Sequence, residues 1–372
     1  MQATQQGTGR TAGQAVADRL GEIELGAATT HGQMVVFPIF APGHAAADAL
    51  ADAAAPALAY RTLQEALADR SVKVTERERA AVPELVIQNT STMMILILDG
   101  EEIIDGRQNR IVNASFLVPA QITMPLPVSC VEHGRWRDVS PVFASGEASN
   151  FRLRQAKHAQ VTNSLRTTGH YASDQGAIWH SVAQTSAARR VSSPSGAMHD
   201  IYRSRQHDLS SYQEAFGYVP GAIGLMVALA GRVAGGDVFD QPRTAQEIWP
   251  KLVRSYALDA LDGATEPGDP AGPAPANAVD TELVRDLLAR ARAGRYEVFP
   301  SAALGEDVRL EGEGVVGGGL VHQDVSIHIN LFRAPDAEPG ERYAAGRIAR
   351  ASERREMVQR QANVDPRQHR QD

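Results

Sequence analysis

Cysteine occurs once in 372 residues, at Cys130. No intrachain disulfide can form, and a cysteine-rich zinc site is excluded. Lysine is nearly as scarce: of 37 Lys and Arg residues, only Lys73, Lys157 and Lys251 are lysine. With the abundant alanine, this reads as the codon bias of a GC-rich bacterial genome. Aromatic residues make up 5% of the chain, so Trp136, Trp179 and Trp249 each need placing. No apolar run reaches the roughly 18 residues of a membrane-spanning helix. Residues 1–18 lack the apolar core of a signal peptide, and the expected compartment is the cytoplasm. The net charge of −7 argues against a general nucleic-acid binder, which needs a basic face. The eleven histidines include no H-x-x-x-H or H-E-x-x-H spacing, so no metal site is expected.

The apolar and charged content is that of a globular chain, long enough for one large domain or two ordinary ones. Residues 1–20 read as a flexible lead-in. Strands follow at 23–30 and 33–40, about a turn at His31-Gly32. Thr62-x-x-Glu65 is a capping box opening a helix at 63–69. A second box, Thr244-x-x-Glu247, opens a helix that Pro250 kinks or restarts. Residues 72–75 and several segments of 85–131 read as strands, 153–165 and 175–185 as helices, and 222–233 as one buried strand. Asp280 caps an amphipathic helix. Strands at 296–299, 308–320 and 325–332 close the fold, with Gly317-Gly318-Gly319 as a bend. In the last strand Ile327, Ile329 and Leu331 alternate with Ser326, His328 and Asn330, the pattern of a half-buried strand.

Residues 263–278 form a Pro/Gly/Ala-rich linker. Residues 335–372 read as a disordered tail, with eight Arg against five acids from Gly340 on. Strands at both ends with helices between them predict an α+β fold. Its sheet is mainly antiparallel or mixed, built from N- and C-terminal strands. A helical insertion over about 151–262 interrupts a single domain at 21–332.

Chemistry concentrates between Leu85 and Trp136. Gln108-Asn109-Arg110 offers two amides and a guanidinium fork, suited to a phosphate or carboxylate. The same arginine can instead pair with Glu101 or Glu102. Glu132 and Arg135 flank Gly134 beside Trp136, whose indole suits stacking on a flat ring; a structural ion pair under the indole is the equal alternative. Arg110 and Arg135 would hold anionic groups of a ligand. Glu132 and Glu101 are the candidate acid/base groups. The carboxylates of Glu101, Glu102 and Asp105 lack calcium-loop spacing and read as a solvated turn. Cys130 reads as a packed core residue, its thiol pKa raised by neighbouring Glu132. No cofactor is indicated, and catalysis stays open. The runner-up is a non-catalytic assembly or interaction protein, with a protein partner or a second copy of itself.

Gly100-Glu101 … Gly106-x-Gln108-Asn109-Arg110 and Pro127-Val128-Ser129-Cys130-Val131-Glu132-x-Gly134-Arg135-Trp136 resemble a bacterial domain of unknown function. This is the ARG- and rhodanese-phosphatase-superfamily-associated protein family. Gln175-Gly176-x-Ile178-Trp179, Gly236-Asp237-x-Phe239 and Ser255-Tyr256-Ala257-Leu258-Asp259-Ala260 add to the resemblance, which covers about 21–332. The family's name implies a neighbourhood of ADP-ribosylglycohydrolases and rhodanese-like phosphatases. An ADP-ribose- or nucleotide-like ligand in NAD-linked, stress or defence metabolism follows as the expectation. The resemblance implies no established activity.

Overall fold

The computed structural model describes residues 10–43, 58–77, 83–135, 139–140, 142–261 and 279–334. The expected linker 263–278, the Arg-rich tail 335–372 and Trp136 lie outside these residues. The first part of the chain contributes α1 (Ala12–Glu22), β1 (Glu24–Leu25), β2 (Thr29–His31), β3 (Met34–Phe40), β4 (Tyr60–Thr62) and α2 (Leu63–Ala68). Then come β5 (Val72–Thr75), β6 (Glu84–Asn89), β7 (Met94–Ile97), β8 (Glu101–Ile104), β9 (Arg110–Val112), β10 (Phe116–Val118), β11 (Ile122–Cys130) and β12 (Ala144–Ala148). The middle holds α3 (Phe151–Thr168), α4 (Gln175–Ala188), α5 (Met198–Ser204), α6 (Gln206–Ala215), β13 (Gly224–Leu229), β14 (Arg232–Phe239) and α7 (Pro242–Ala260). The last elements are α8 (Thr281–Arg292), β15 (Arg295–Pro300), β16 (Glu306–Gly312), β17 (Val315–His322) and β18 (Val325–Arg333).

The fold is α+β. A nine-stranded sheet runs β1-β3-β13-β14-β18-β17-β16-β15, with β2 also on β3. All its pairings are antiparallel. The late strands therefore do join the early ones, but through the β13–β14 hairpin rather than directly. Six strands form a second sheet, β12-β8-β9-β11-β6-β5, and three a third, β10-β7-β4, where β4 runs parallel to β7. Side chains alternate across β3: Val35, Phe37 and Ile39 join the core under α1 and α8, while Met34, Val36 and Phe40 join the core under α3–α7. A third core fills the space between the smaller sheets, α2 and α3.

Residues 308–320, expected as one strand, form the β16–β17 hairpin, and the expected helical insertion also carries β13 and β14 of the main sheet. Four more expectations change. Residues 12–22 are a helix, not part of a flexible lead-in: Thr11 caps Gln14 N–H, and Ala12, Ala15, Val16 and Leu20 are buried at helical spacing. The small side chains of that stripe carry little apolar signal. The stretch at 222–233 turns back on itself, because Ala230 and Gly231 both take positive φ and make a hairpin turn without an Asn-Gly signature. Helix α7 begins at Pro242, before the second capping box, and runs through Pro250. Thr244 there gives its hydroxyl to Tyr60 rather than to a cap. The first box forms as expected, Thr62 N–H to Glu65 Oε2 at 2.9 Å and Glu65 N–H to Thr62 Oγ1 at 3.3 Å.

The fourth change concerns β17 and β18. Gly317, Gly318 and Gly319 lie inside β17 and make no bend. A Cβ on Gly318 would sit 3.1 Å from His158 of α3, and one on Gly319 2.8 Å from Val16 of α1. Glycine here admits helices on both faces of the sheet. Strand β18 is likewise buried on both faces: Ser326, His328 and Asn330 are 7%, 1% and 5% exposed. Its polar face meets charged side chains instead of water.

Those charges are Asp237 of β14 and Asp99 of the turn before β8, each paired with a cation of α3. Arg154 donates Nη1 to Asp237 Oδ2 at 3.0 Å and Nη2 to Oδ1, and both residues are fully buried. Tyr256 Oη and His328 Nε2 reach the same carboxylate at 3.1 Å each. One turn on, Lys157 pairs with Asp99 and donates to Asn113 O at 2.9 Å; Asn330 Nδ2 donates to Asp99 Oδ2 at 3.0 Å. Breaking one member of such a pair strands a buried charge and costs about 3–5 kcal/mol. Arg154→Met should therefore lower stability by that amount in urea unfolding. Arg154→Met with Asp237→Leu should recover most of it, and a loss undiminished in the double variant would contradict this account.

Candidate functional site

The segment after β8 folds back on Arg135. Asp105 and Gly106 both take positive φ, and the Phe143 ring occupies the space a Cβ on Gly106 would need. Arg135 then gathers the loop: Nη1 donates to Gly106 O at 2.7 Å, and Nη2 to Asp105 O at 3.2 Å and Asn109 Oδ1 at 3.1 Å. It also forks onto Glu132, Nε to Oε1 at 2.8 Å and Nη2 to Oε2 at 2.6 Å. Glu132 Oε2 accepts Asn109 N–H at 3.0 Å. Burial works to raise the Glu132 carboxyl, but Arg135, Ser195 and the Asn109 amide outweigh it and hold it below the ordinary carboxylate range.

Arg110 is 1% exposed. Its Nη1 donates to Gln108 O at 3.1 Å and Oε1 at 3.2 Å, and its Nη2 lies 3.6 Å from Glu76 Oε1. The fold thus brings together Gln108, Asn109, Arg110, Glu132 and Arg135, with their charges turned on one another. Asp105 takes part through its carbonyl, away from Glu101 and Glu102. Cys130 is buried beside this cluster. Burial, more than Glu132, pushes its thiol up to about 11, with Arg110 pulling the other way. The Gln175 side chain accepts Cys130 N–H at 2.8 Å and donates to Cys130 O at 2.7 Å. On the next turn of α4, the Trp179 ring meets His133 edge to face at 4.5 Å.

A second constellation was not visible in the sequence. Ser115 Oγ lies 2.8 Å from His328 Nδ1, and His328 Nε2 3.1 Å from Asp237 Oδ1. The order is that of a hydrolase triad, but Ser115 is 8% exposed and accepts Asp99 N–H at 2.9 Å. Arg154 already neutralises the carboxylate. The hydroxyl is buried among the described residues, and the line connects β14, β18 and the turn before β8. The three residues lie far apart in the chain. The available signal was the run of polar residues on alternate positions of β18.

Glu101 and Glu102 point to opposite faces of β8 and meet different fates. Glu101 is closed: Lys251 Nζ donates to Oε1 at 2.6 Å, Ser145 Oγ at 3.1 Å, and Leu98 N–H to Oε2 at 3.2 Å. Beside it lies a shallow depression bounded by Thr62, Gln64, Leu98, Glu101, Glu247, Ile248 and Lys251. Two carboxylates against one ammonium make it a poor place for an anion.

Glu102 is fully buried, with Oε1 lacking a hydrogen-bond partner among the described residues. Its Oε2 faces Nδ1 of His199 at 3.3 Å, on α5, where the imidazole is 28% exposed. Burial pushes the Glu102 carboxyl up against the pull of His199. The hydrogen bond and charge of Glu102 raise His199 in turn, against its own burial. Glu147 adds to that rise, and Arg203, one turn along α5 and 74% exposed, opposes it. Arg254 of α7 holds Glu147 through two bonds at 2.9 and 2.7 Å. Among the described residues nothing hydrogen-bonds His199 Nε2, and no group of His, Cys, Asp and Glu is placed to hold a metal.

Asp240, just before α7, is another carboxyl that burial raises. Tyr60 donates to it, Thr244 donates to Tyr60 at 2.9 Å, and Arg19 donates to Asp240 O at 3.3 Å. Burial pushes Asp240 up to about 6. The stability conferred by its neutral form is present below the ordinary carboxylate range and lost as pH rises through about 6. Asp240→Asn keeps an acceptor for Tyr60 and removes that loss. Its stability advantage should widen by up to about 3 kcal/mol between about pH 4 and about pH 7.5, two pKa units at about 1.4 kcal/mol each. Thermal melts at both pH values check this, and a constant difference would contradict it.

The family model of the ARG and Rhodanese-Phosphatase-superfamily-associated Protein domain, ARPP-1, matches residues 22–332. The chain belongs to this family. No curated protein and no solved structure matches it. Among the described residues no helix is long and apolar enough to cross a membrane.

Proposed function

We propose that this ARPP-1 domain binds a small anionic ligand at the exposed face of α5, between His199 and Arg203. One observation carries the reading: a buried carboxylate, Glu102, sits directly behind a solvent-facing imidazole and favours its protonated form. His199 and Arg203 are four residues apart on one helix, so their side chains are neighbours. Arg203 reaches Asp200 only at 4.0 Å and is free to turn to a phosphate or carboxylate. The expected ligand arginines, Arg110 and Arg135, are engaged elsewhere. An ADP-ribose- or nucleotide-like compound remains the ligand that the family's association with NAD-linked and stress or defence metabolism favours, its phosphates supplying the charge.

Binding an anion there favours the protonated imidazole, so affinity should rise as pH falls. The test is a thermal-shift series with inorganic phosphate, AMP and ADP-ribose at about pH 6 and about pH 8. A ligand at a hundred times its Kd stabilises by about 2.7 kcal/mol. At least one anion should raise the melting temperature, more at the lower pH, and the rise should vanish in His199→Gln/Arg203→Gln. Absence of any shift, or a shift unchanged in that variant, would overturn the reading. A second reading, a non-catalytic assembly protein of a stress or defence operon, is favoured by the mutual closure of Arg110, Glu132 and Arg135. It predicts no anion-dependent stabilisation.

A further inference from the structure

The same face carries more than a charge. We infer that Glu102 and His199 form a proton-transferring dyad, in which Glu102 positions the imidazole through Nδ1 and leaves Nε2 to act on an O–H group of the bound anion or on a water beside it. This rests on the proposed ligand site for its substrate but on Glu102 and His199 alone for its chemistry.

The geometry supplies each part a positioned base needs. A base must present one nitrogen to the substrate while its other nitrogen is held in a fixed tautomer. Here Nδ1 faces a carboxylate 3.3 Å away that is itself immobilised on β8. With Glu102 ionised and the imidazole neutral, the carboxylate selects the Nδ1–H tautomer, so the lone pair lies on Nε2. Glu102 cannot turn away: it is fully buried, and the space beside its Oε2 is closed by Gly146, where even a Cβ would come within 2.8 Å. The charged groups around the pair are Glu147 on β12, Arg203 on α5 and, behind Glu147, Arg254 on α7. Glu147 reinforces the protonated state, Arg203 opposes it, and Arg254 tempers Glu147.

The step balances without a further reagent. With the anion held by Arg203 and the imidazole neutral, Nε2 takes the proton of a water beside the ligand. The electron pair of that O–H bond forms the new bond to phosphorus of a phosphoester or pyrophosphate ligand as the bond from that phosphorus to its leaving oxygen breaks. The imidazolium so formed keeps its Nδ1–H on Glu102. When the bond to the leaving oxygen breaks, the Nε2 proton passes to that oxygen and the neutral imidazole returns. His199 is then the catalytic residue and Glu102 a positioning residue.

The full chain is tested by nitrogen NMR of the His199 ring across pH, and by its rate of modification with diethyl pyrocarbonate, which attacks the unprotonated nitrogen. Exposed His170 of the same chain serves as the internal standard. Wild type should show the Nδ1–H tautomer when neutral. Its limiting rate at high pH should exceed that of His170. Glu102→Gln should lower the titration midpoint by about one unit or more and remove the rate advantage. An Nε2–H tautomer in wild type, a limiting rate no greater than that of His170, or a midpoint unmoved by Glu102→Gln would each overturn the dyad. Should Glu102→Gln fail to fold, the wild-type tautomer and rate decide. These readouts involve no anion. A dyad that fails while phosphate still shifts the melting temperature leaves the binding site standing, and the reverse outcome leaves a dyad without that ligand.

Discussion

The Arg154–Asp237 ion pair is the interaction on which the rest of the molecule's internal geometry depends. It joins α3 to β14 at full burial, and the same carboxylate takes Tyr256 of α7 and His328 of β18. Through His328 the connection continues to Ser115 and the Asp99 turn that leads into β8. Apolar contact alone would permit α3 to slide along the sheet. A guanidinium fork on a carboxylate does not, since both bonds require one register. Removing two ions from water costs several kcal/mol each, and the two-bond fork together with the bonds from Tyr256 and His328 to the same carboxylate offsets that cost. The pair therefore contributes position more than stability.

Position matters because β8 carries two adjacent glutamates on opposite faces. The Asp99 turn sets where β8 begins, and Glu101 is consumed by Lys251 and Ser145 on one side. Glu102 lies buried on the other, against α5, with Oε1 unpartnered among the described residues. Loop 105–110, at the far end of β8, is held by Arg135 and Glu132 as a closed unit. One strand thus runs from a locked interior to a locked loop, with its single unfinished carboxylate between.

Much of the fold was legible in the sequence. The capping box at Thr62, the cap at Asp280 and the terminal strands were signalled by local chemistry that burial did not override. What was not legible came from residues whose role depends on distant partners. Helix α1 hid behind small side chains, and the polar face of β18 looked solvent-facing because alternation cannot distinguish water from buried Asp237 and Asp99. The candidate site shows the same limit. Arg110, Glu132 and Arg135 do converge, but sequence spacing could not show that they converge on one another. His199 stood out by no motif. One signal was present and discounted: in a chain that supplies its cations almost entirely as arginine, two of the three lysines, Lys157 and Lys251, end in buried or nearly buried ion pairs. A compact ammonium fits beside Asp99 and Asn113 where a planar fork would need more room.

The amide of Gln175 occupies a place that backbone usually fills. Strand β6 pairs with β11 as far as Glu84 opposite Pro127, and Pro83 O takes the next amide, Val128 N–H, at 3.0 Å. Beyond it, at Cys130, the row is taken up by one side chain that both donates and accepts. Gln175 acts as a strand one residue long. A sheet margin finished this way offers no free ladder rung for another chain to extend, and the first turn of a helix is fastened to it at the same stroke.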